Sequence, residues 1–380
     1  MTIFSPRMAR LQSAMAGRLD LVFLPLGADL QYLTGIPRDM PTYGATVYPG
    51  RWLEGLWLAA AGEPILTLPR MTATFHGLDQ LPYDVRVLGD ADDAAGLVAT
   101  VLAELGVAQK ARIGLGDVAR GDTAAALQSL LPQARFLSAS ALVNQLRRRK
   151  DAAEIAALRR AGGVTEAAFA AVLPMLRPGM TELDIVSEID LQLKRHGALG
   201  PSFTTAMYNS GPNHPLIFGH QAERWQRPLL PPVALLFDFG AVVDGYCYDF
   251  GRTVAFGAPP PALQEIHALV MASQAAGIQA LCPRRTAAAA DAAARAVIAA
   301  AGYGSAFRHR LGHGIGLDVH EAPFLTADDA TPLEEGMTFT VEPSIMQLDT
   351  FSARVEDVVV VRDGGGEPLT SGFQALIVIE

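Results

Sequence analysis

Five residues in the second half of the chain have types and spacing suited to a two-metal centre. They are Asp238, Asp249, His313, Glu342 and Glu356, separated by 11, 64, 29 and 14 residues. Four carboxylates and one imidazole make a hard, mostly anionic ligand set, which suits two divalent cations better than one structural zinc. Such cations activate water and polarise a carbonyl, the chemistry of metal-assisted hydrolysis. If the five converge in space, the chain is a hydrolase.

The segments around these residues say how they are positioned. Val233 to Phe237 is an apolar run that reads as a strand with Asp238 near its end. Asp244-Gly245 is a hairpin turn signal, and the chain returns through Tyr246 and Cys247 to Asp249. That turn places Asp238 opposite Gly251, with Asp249 on the same face one diagonal step away, within roughly 7–8 Å. Asp238 as a solvent-edge acid fits poorly behind five apolar residues. Two like charges in an apolar setting are costly unless cations neutralise them, which favours metal over an acid–base dyad. His313 stands among glycines in Leu311 to Leu317, where the backbone can approach a ligand closely. A lone histidine is more often structural; the acid pairs on either side make this one a candidate ligand. His320 is a candidate support for a metal ligand or proton donor to a tetrahedral intermediate. Thr338 to Val341 reads as another strand delivering Glu342. Glu356 and Asp357 are adjacent, so only one can face the cleft, and spacing does not choose between them. Asp318, Glu321 and Asp328 read as solvated or structural.

The second part of the chain repeats itself. Leu176-x-Pro178-x-x-Thr181 recurs as Leu281-x-Pro283-x-x-Thr286, an offset of 105, and Gly197 recurs as Gly302 at the same offset. Gly200 and Gly304 lie 104 apart. A helical stretch flanks each motif on both sides, and a strand-rich stretch with two candidate acids follows. Ala152 to Leu176 is one such helix; the next starts after Thr181, with Asp184 in its first turn. Two half-modules related by a pseudo-twofold would carry both acid pairs to one cleft.

The first part looks like a small α/β unit. Leu21 to Leu24 reads as a buried strand, and Leu56 to Ala60 with Ile65 to Leu68 as a hairpin. Ala95 to Leu105 reads as a helix stopped by Gly106, and Arg112 to Leu115 as a further strand. No titratable groups gather there at catalytic spacing, so its expected role is scaffold, dimer contact or lid.

With 380 residues, two domains are expected. A net charge of −9 argues against a nucleic-acid or anionic-membrane partner. The basic cluster Arg147 to Lys150 reads as the solvated face of a linking helix. Two cysteines without a CxxC fit a reducing cytoplasm. Arg7 and Arg10 interrupt any signal-peptide pattern, and Ile266 to Pro283 reads as a core helix, not a membrane span.

Taken together, several motifs resemble the pita-bread metallopeptidases (creatinase, prolidase and aminopeptidase P). They are Asp238 to Gly240 with Asp249, Arg252 and Thr253; Gly312 to Glu321; Val341-Glu342-Pro343; and Arg354 to Asp357. Tyr32 to Gly35 and Leu176 to Glu182 extend the likeness across most of the chain. Within the group the chain is most similar to the bacterial Xaa-Pro dipeptidase and aminopeptidase P branch. The resemblance implies an α/β (α+β) fold: a creatinase-like N-terminal domain over 1–141 and a pseudo-twofold pita-bread catalytic domain over 142–380. It implies a homodimer that cleaves the peptide bond before proline in small peptides. Asp238, Asp249, His313, Glu342 and Glu356 would hold two manganese, cobalt or zinc ions, which selects Glu356 over Asp357. Glu342 would shuttle the proton, His220 and His320 would steady the scissile carbonyl and the intermediate, and Arg354 would stand beside the last ligand. Three positions depart from the family pattern: Gly219 replaces the proline before the histidine, Ser344 replaces a glycine, and Phe324 stands where many prolidases bind the substrate carboxylate with arginine. Strict dipeptide specificity is thereby in question. Cys247, on the ligand side by parity, reads as a bystander or as a soft-metal inhibitory site. A rival reading keeps the fold and metals but assigns a small-molecule C–N bond, as in ectoine-hydrolase-like or creatinase-like relatives.

Overall fold

The computed structural model describes residues 5–38, 48, 50–78 and 81–380. The chain divides into two compact units, Met1–Arg147 and Arg148–Glu380.

Among the described residues of the first unit the apolar runs form a six-stranded sheet. Its strands are β1 (Leu21–Pro25), β2 (Gly55–Ala59), β3 (Ile65–Pro69), β4 (Asp84–Leu88), β5 (Arg112–Leu115) and β6 (Arg135–Ser138), ordered β4-β3-β2-β1-β5-β6. β1 is interior, antiparallel to β2 and parallel to β5, which is why Leu21 to Leu24 are all buried. Among the described residues six helices accompany the sheet: α1 (Ser5–Met15), α2 (Ala28–Thr34), α3 (Arg70–His76), α4 (Ala94–Glu104), α5 (Gly121–Leu130) and α6 (Ser140–Arg147). Val98, Val101 and Leu102 of α4 and Leu127 of α5 bury against Phe23, Trp57 and Ile113. The basic cluster after α6 is not a solvated face. Arg147 is buried and donates to Asp29 at 2.5 Å, and Lys150 is buried and paired with Glu321 at 2.8 Å. Both partners are remote in sequence, so no local pattern announces these pairs.

The second unit contains two helix pairs separated by the strands of its first half. They are α7 (Ala152–Val172) with α8 (Glu182–Arg195), and, after the short α9 (Gln221–Trp225), α10 (Pro261–Ala280) with α11 (Ala287–Ala300). α7 is shorter than its expected span: a turn of 3-10 helix takes over at Leu173–Met175, where Pro174 removes an amide donor. Thr181 caps α8 by accepting from the Asp184 amide, and Thr286 caps α11 by accepting from the Ala289 amide. The two threonines also form equivalent bridges, Thr181 with Pro228 and Thr286 with Pro332. Gly197 and Gly302 follow α8 and α11 with φ of 103° and 86°. These correspondences make the internal repeat structural. Gly200 and Gly304 do not correspond, since one starts a strand and the other a 3-10 turn.

Each helix pair leads into strands. The first half carries β7 (Gly200–Pro201), β8 (Ala206–Ser210), β9 (Val233–Phe239), β10 (Ala241–Val243), β11 (Tyr246–Cys247) and β12 (Phe250–Phe256). The second carries β13 (Gly312–Gly314), β14 (Glu321–Leu325), β15 (Thr338–Val341), β16 (Ser344–Ile345), β17 (Ala353–Arg354), β18 (Asp357–Val360), β19 (Glu367–Pro368) and β20 (Ile377–Ile379). The larger sheets run β20-β12-β9-β8 and β14-β13-β15-β18-β19. Among the described residues no helix is long and apolar enough to cross a membrane.

Candidate metal centre

The β9–β12 hairpin has the register that its turn residues dictate. Asp244 and Gly245 both take positive φ, 53° and 82°, as a type I′ turn requires, and Asp238 lies opposite Gly251. In the second half Thr340 pairs with Val358 and Val341 with Asp357. Continuing that register sets Glu342 across from Glu356. A backbone bridge between Gly251 and Glu356 joins the halves. Glycine is needed there: a Cβ on Gly251 would meet the Glu356 Cβ at 3.0 Å and its Oε2 at 3.2 Å. The acid of one half thus lies over the glycine opposite the acid of the other.

Adjacent Glu356 and Asp357 take opposite sides. Asp357 accepts from Arg252 at 2.6 Å and from Gln274 at 2.9 Å, within the packed interior. Glu356 turns toward the cluster, and its backbone carbonyl accepts from Arg252 at 2.7 Å. Ligand-bearing atoms of Asp249, His313 and Glu356 all lie within 4.8 Å of one another. His313 Nε2 is 3.4 Å from Glu342 and 3.7 Å from Asp249. Asp238, partly open to the cleft, is tied in by Arg354, whose guanidinium also donates to Glu342 at 2.9 Å and to Glu356 at 2.5 Å. Four of the candidate ligands therefore adjoin one another directly, and the fifth joins through Arg354.

The electrostatics are those of a cation site. Burial pushes the Asp249 and Glu356 carboxyls well up, and burial raises Glu342 to about 7 against the pull of Arg354. Asp249 Oδ1 and Glu356 Oε1 are buried without a hydrogen-bond partner, a costly arrangement that a cation would relieve. Burial, with His320 and nearby guanidinium groups adding to it, pushes His313 down to about 3. The ring is therefore neutral at pH 7, and its approach to Asp249 is no ion pair. Its Nδ1 lies 3.1 Å from the Gly314 carbonyl. Donation there leaves the Nε2 lone pair facing the carboxylates, as in metal-bound histidine. Thr340 organises the group: its hydroxyl accepts from the His313 amide at 3.0 Å and donates to Glu342 at 3.2 Å. Among the described residues this donor set fits divalent cations.

The cluster opens into a cleft of about 690 Å³ that Asp238, Asp249, His313, His320, Glu342 and Arg354 help to line. The His320 ring sits edge-on to His313, with centroids 4.1 Å apart. His220 is not among the lining residues. It is exposed at the start of α9 with φ 45°. His309, overlooked in the sequence, does line the cleft, 2.7 Å from the Ser344 hydroxyl and 3.8 Å from Glu342. It lies just before β13, outside any strand, so no alternation in the sequence announced its direction. Cys247 turns away, its thiol donating to the Leu317 carbonyl at 3.3 Å. Phe203, Tyr208, Phe218 and Met346 supply an apolar wall.

The model of metallopeptidase family M24 matches residues 156–363, and that of the creatinase/prolidase N-terminal domain matches 7–149. The chain is 32% identical over 368 residues to an Xaa-Pro dipeptidase of Lactobacillus delbrueckii subsp. lactis, covering 95% of each. A dipeptidase of Pyrococcus horikoshii OT3 superposes with a TM-score of 0.87 at 30% identity, over 98% of this chain and all of that one. An X-Pro aminopeptidase of Thermotoga maritima MSB8 superposes with 0.82 at 25% identity, over 98% of this chain and 100% of the other.

Proposed function

This chain belongs to metallopeptidase family M24, and from that premise we propose that it hydrolyses the peptide bond before proline in small peptides, as an Xaa-Pro dipeptidase or aminopeptidase. The observation that carries the reading is the four-carboxylate, one-imidazole cluster built jointly by the two halves at the base of a part-apolar cleft. Asp238, Asp249, His313, Glu342 and Glu356 would hold two divalent ions, manganese first and cobalt or zinc as alternatives. When bound, these supply Lewis acidity and activated water.

The chain's own groups do the rest. Glu342, within reach of both His313 and Arg354, carries the proton from water to the departing proline nitrogen. His320, pushed down by burial and neutral at pH 7, steadies the developing oxyanion from the open side of the cleft. Arg354 holds three carboxylates in place. His220 has no part in this scheme from its exposed position; His309 stands nearer the reacting atoms. A proline nitrogen has no hydrogen to satisfy, so an apolar wall such as Tyr208 and Phe218 suits that residue. The likeness to the family supports a homodimer, and the two free cysteines fit work in the cytoplasm.

The test is hydrolysis by manganese-loaded protein of Ala-Pro, Ala-Pro-Ala, Ala-Ala and small cyclic amides. Cleavage before proline, abolished by chelator and absent with Ala-Ala, is expected. Turnover of a cyclic amide with silence on every peptide would overturn the reading.

A further inference from the structure

The cleft holds a cation that the carboxylate cluster does not use. Arg310 lines the cleft, and its guanidinium lies 4.6 Å from the centroid of the Phe324 ring. Phe324 is the β14 register partner of His313. Directly paired residues of an antiparallel sheet point to one face, so the ring, and the guanidinium stacked on it, stand on the same side as the metal-facing imidazole.

Arg310 makes no ion pair among the described residues, in a chain with 39 acidic residues to 30 basic ones. Arg354, by contrast, is committed to Asp238, Glu342 and Glu356. Arg308 is exposed at the rim, its Nε donating to the Met346 carbonyl at 3.2 Å. Stacking on an aromatic face fixes the plane of a guanidinium and leaves its N–H edges free. A free, flat, partly buried fork of this kind is shaped for bidentate capture of a carboxylate.

We infer that Arg310, held on Phe324, receives the free C-terminal carboxylate of the substrate and makes a dipeptide the preferred length. The inference rests on the proposed function. In a dipeptide the carboxylate belongs to the proline itself. Each further residue moves it away by about 3.5 Å and leaves a neutral amide in its place. Phe324 then serves as the platform for the cation, not as the loss of one.

The experiment compares kcat/KM for Ala-Pro, its C-terminal amide and Ala-Pro-Ala in manganese-loaded wild type, Arg310→Ala, Arg310→Lys and Arg308→Ala. It is run alongside calorimetric binding of L-proline and L-prolinamide to the same proteins. The wild type should favour the acid over the amide by roughly 10- to 100-fold. Arg310→Ala should lose that factor, chiefly in KM, with a much smaller change on the amide and unchanged manganese content. Arg310→Lys should recover part of it, because it keeps charge without the fork. Proline should bind more weakly to Arg310→Ala than to wild type, with prolinamide little affected. Equal losses on acid and amide, no acid preference in the wild type, or loss of the preference in Arg308→Ala instead would each overturn the inference. If no peptide is cleaved, the proposed function fails, and proline binding alone decides the role of Arg310: no difference between wild type and Arg310→Ala rejects it.

Discussion

His313→Ala is expected to lower kcat/KM on an Xaa-Pro substrate by about 10³-fold or more while leaving the protein folded. The neutral ring presents the Nε2 lone pair to Glu342 and Asp249 at 3.4 and 3.7 Å, so its loss removes the one uncharged donor among four acids. Lewis-acid polarisation of a carbonyl is worth several kcal/mol, and each 1.36 kcal/mol is about tenfold in rate. Alanine leaves a small cavity, and the flanking strands keep their backbone partners, so circular dichroism should be unchanged. Glu356→Gln should produce a loss of the same order for a different reason. The amide keeps the shape but removes one negative charge and presents a donor where an acceptor is needed. Activity within tenfold of wild type in either variant, with folding intact, would remove that residue from the ligand set.

Removing divalent ions should lower the melting temperature by roughly 10 °C at pH 7, and by clearly less at pH 5. At about 1,000 times Kd, one ligand stabilises the native state by about 4 kcal/mol, and for a unit of this size each kcal/mol is about 2–4 °C. The pH dependence follows from the carboxyls. Those of Asp249, Glu342 and Glu356 are raised by burial, Glu342 to about 7. A carboxyl raised in the folded state contributes stability that is present below its unfolded pKa, near 4, and lost as pH rises through the folded value. The metal-free protein therefore loses this contribution between about pH 4 and 7. Cations favour the ionised carboxylates, and protons compete with them at pH 5. Buried histidines act in the opposite direction: His267 and His309, lowered to about 4, cost stability as pH falls below about 6.5. That cost is common to loaded and metal-free protein, so the difference in melting temperature isolates the carboxylates. Differential scanning fluorimetry with and without chelator at the two pH values measures it. An equal shift at both, or a larger one at pH 5, would contradict the burial of these acids around a shared cation site.

Much of this centre was legible in the sequence because hairpins obey counting rules. Asp244-Gly245 fixes the turn, the turn fixes the register, and the register sets Asp238 opposite Gly251. The internal repeat was legible because helix caps need particular residues, and Thr181 and Thr286 both serve as caps. The choice between Glu356 and Asp357 was not. Parity says only that they diverge, and the direction is set by Arg252 and Gln274 receiving Asp357 from elsewhere in the fold. Arg147 and Lys150 read as solvated because their partners, Asp29 and Glu321, are far away in sequence. His220 illustrates the converse limit. No strand lies between Ser210 and Val233, so a motif match there gives the residue type without its direction. In the first unit, individual strands could be read from apolar runs, but their order could not, since β1 joins β5 across the intervening hairpin and helices.

Anomalous diffraction from crystals grown with excess manganese tests the central claim most directly. The account predicts two ions per chain held by Asp238, Asp249, His313, Glu342 and Glu356, and their loss or marked depletion in Glu356→Gln. Manganese seated elsewhere, or no anomalous density among these five side chains, would contradict it.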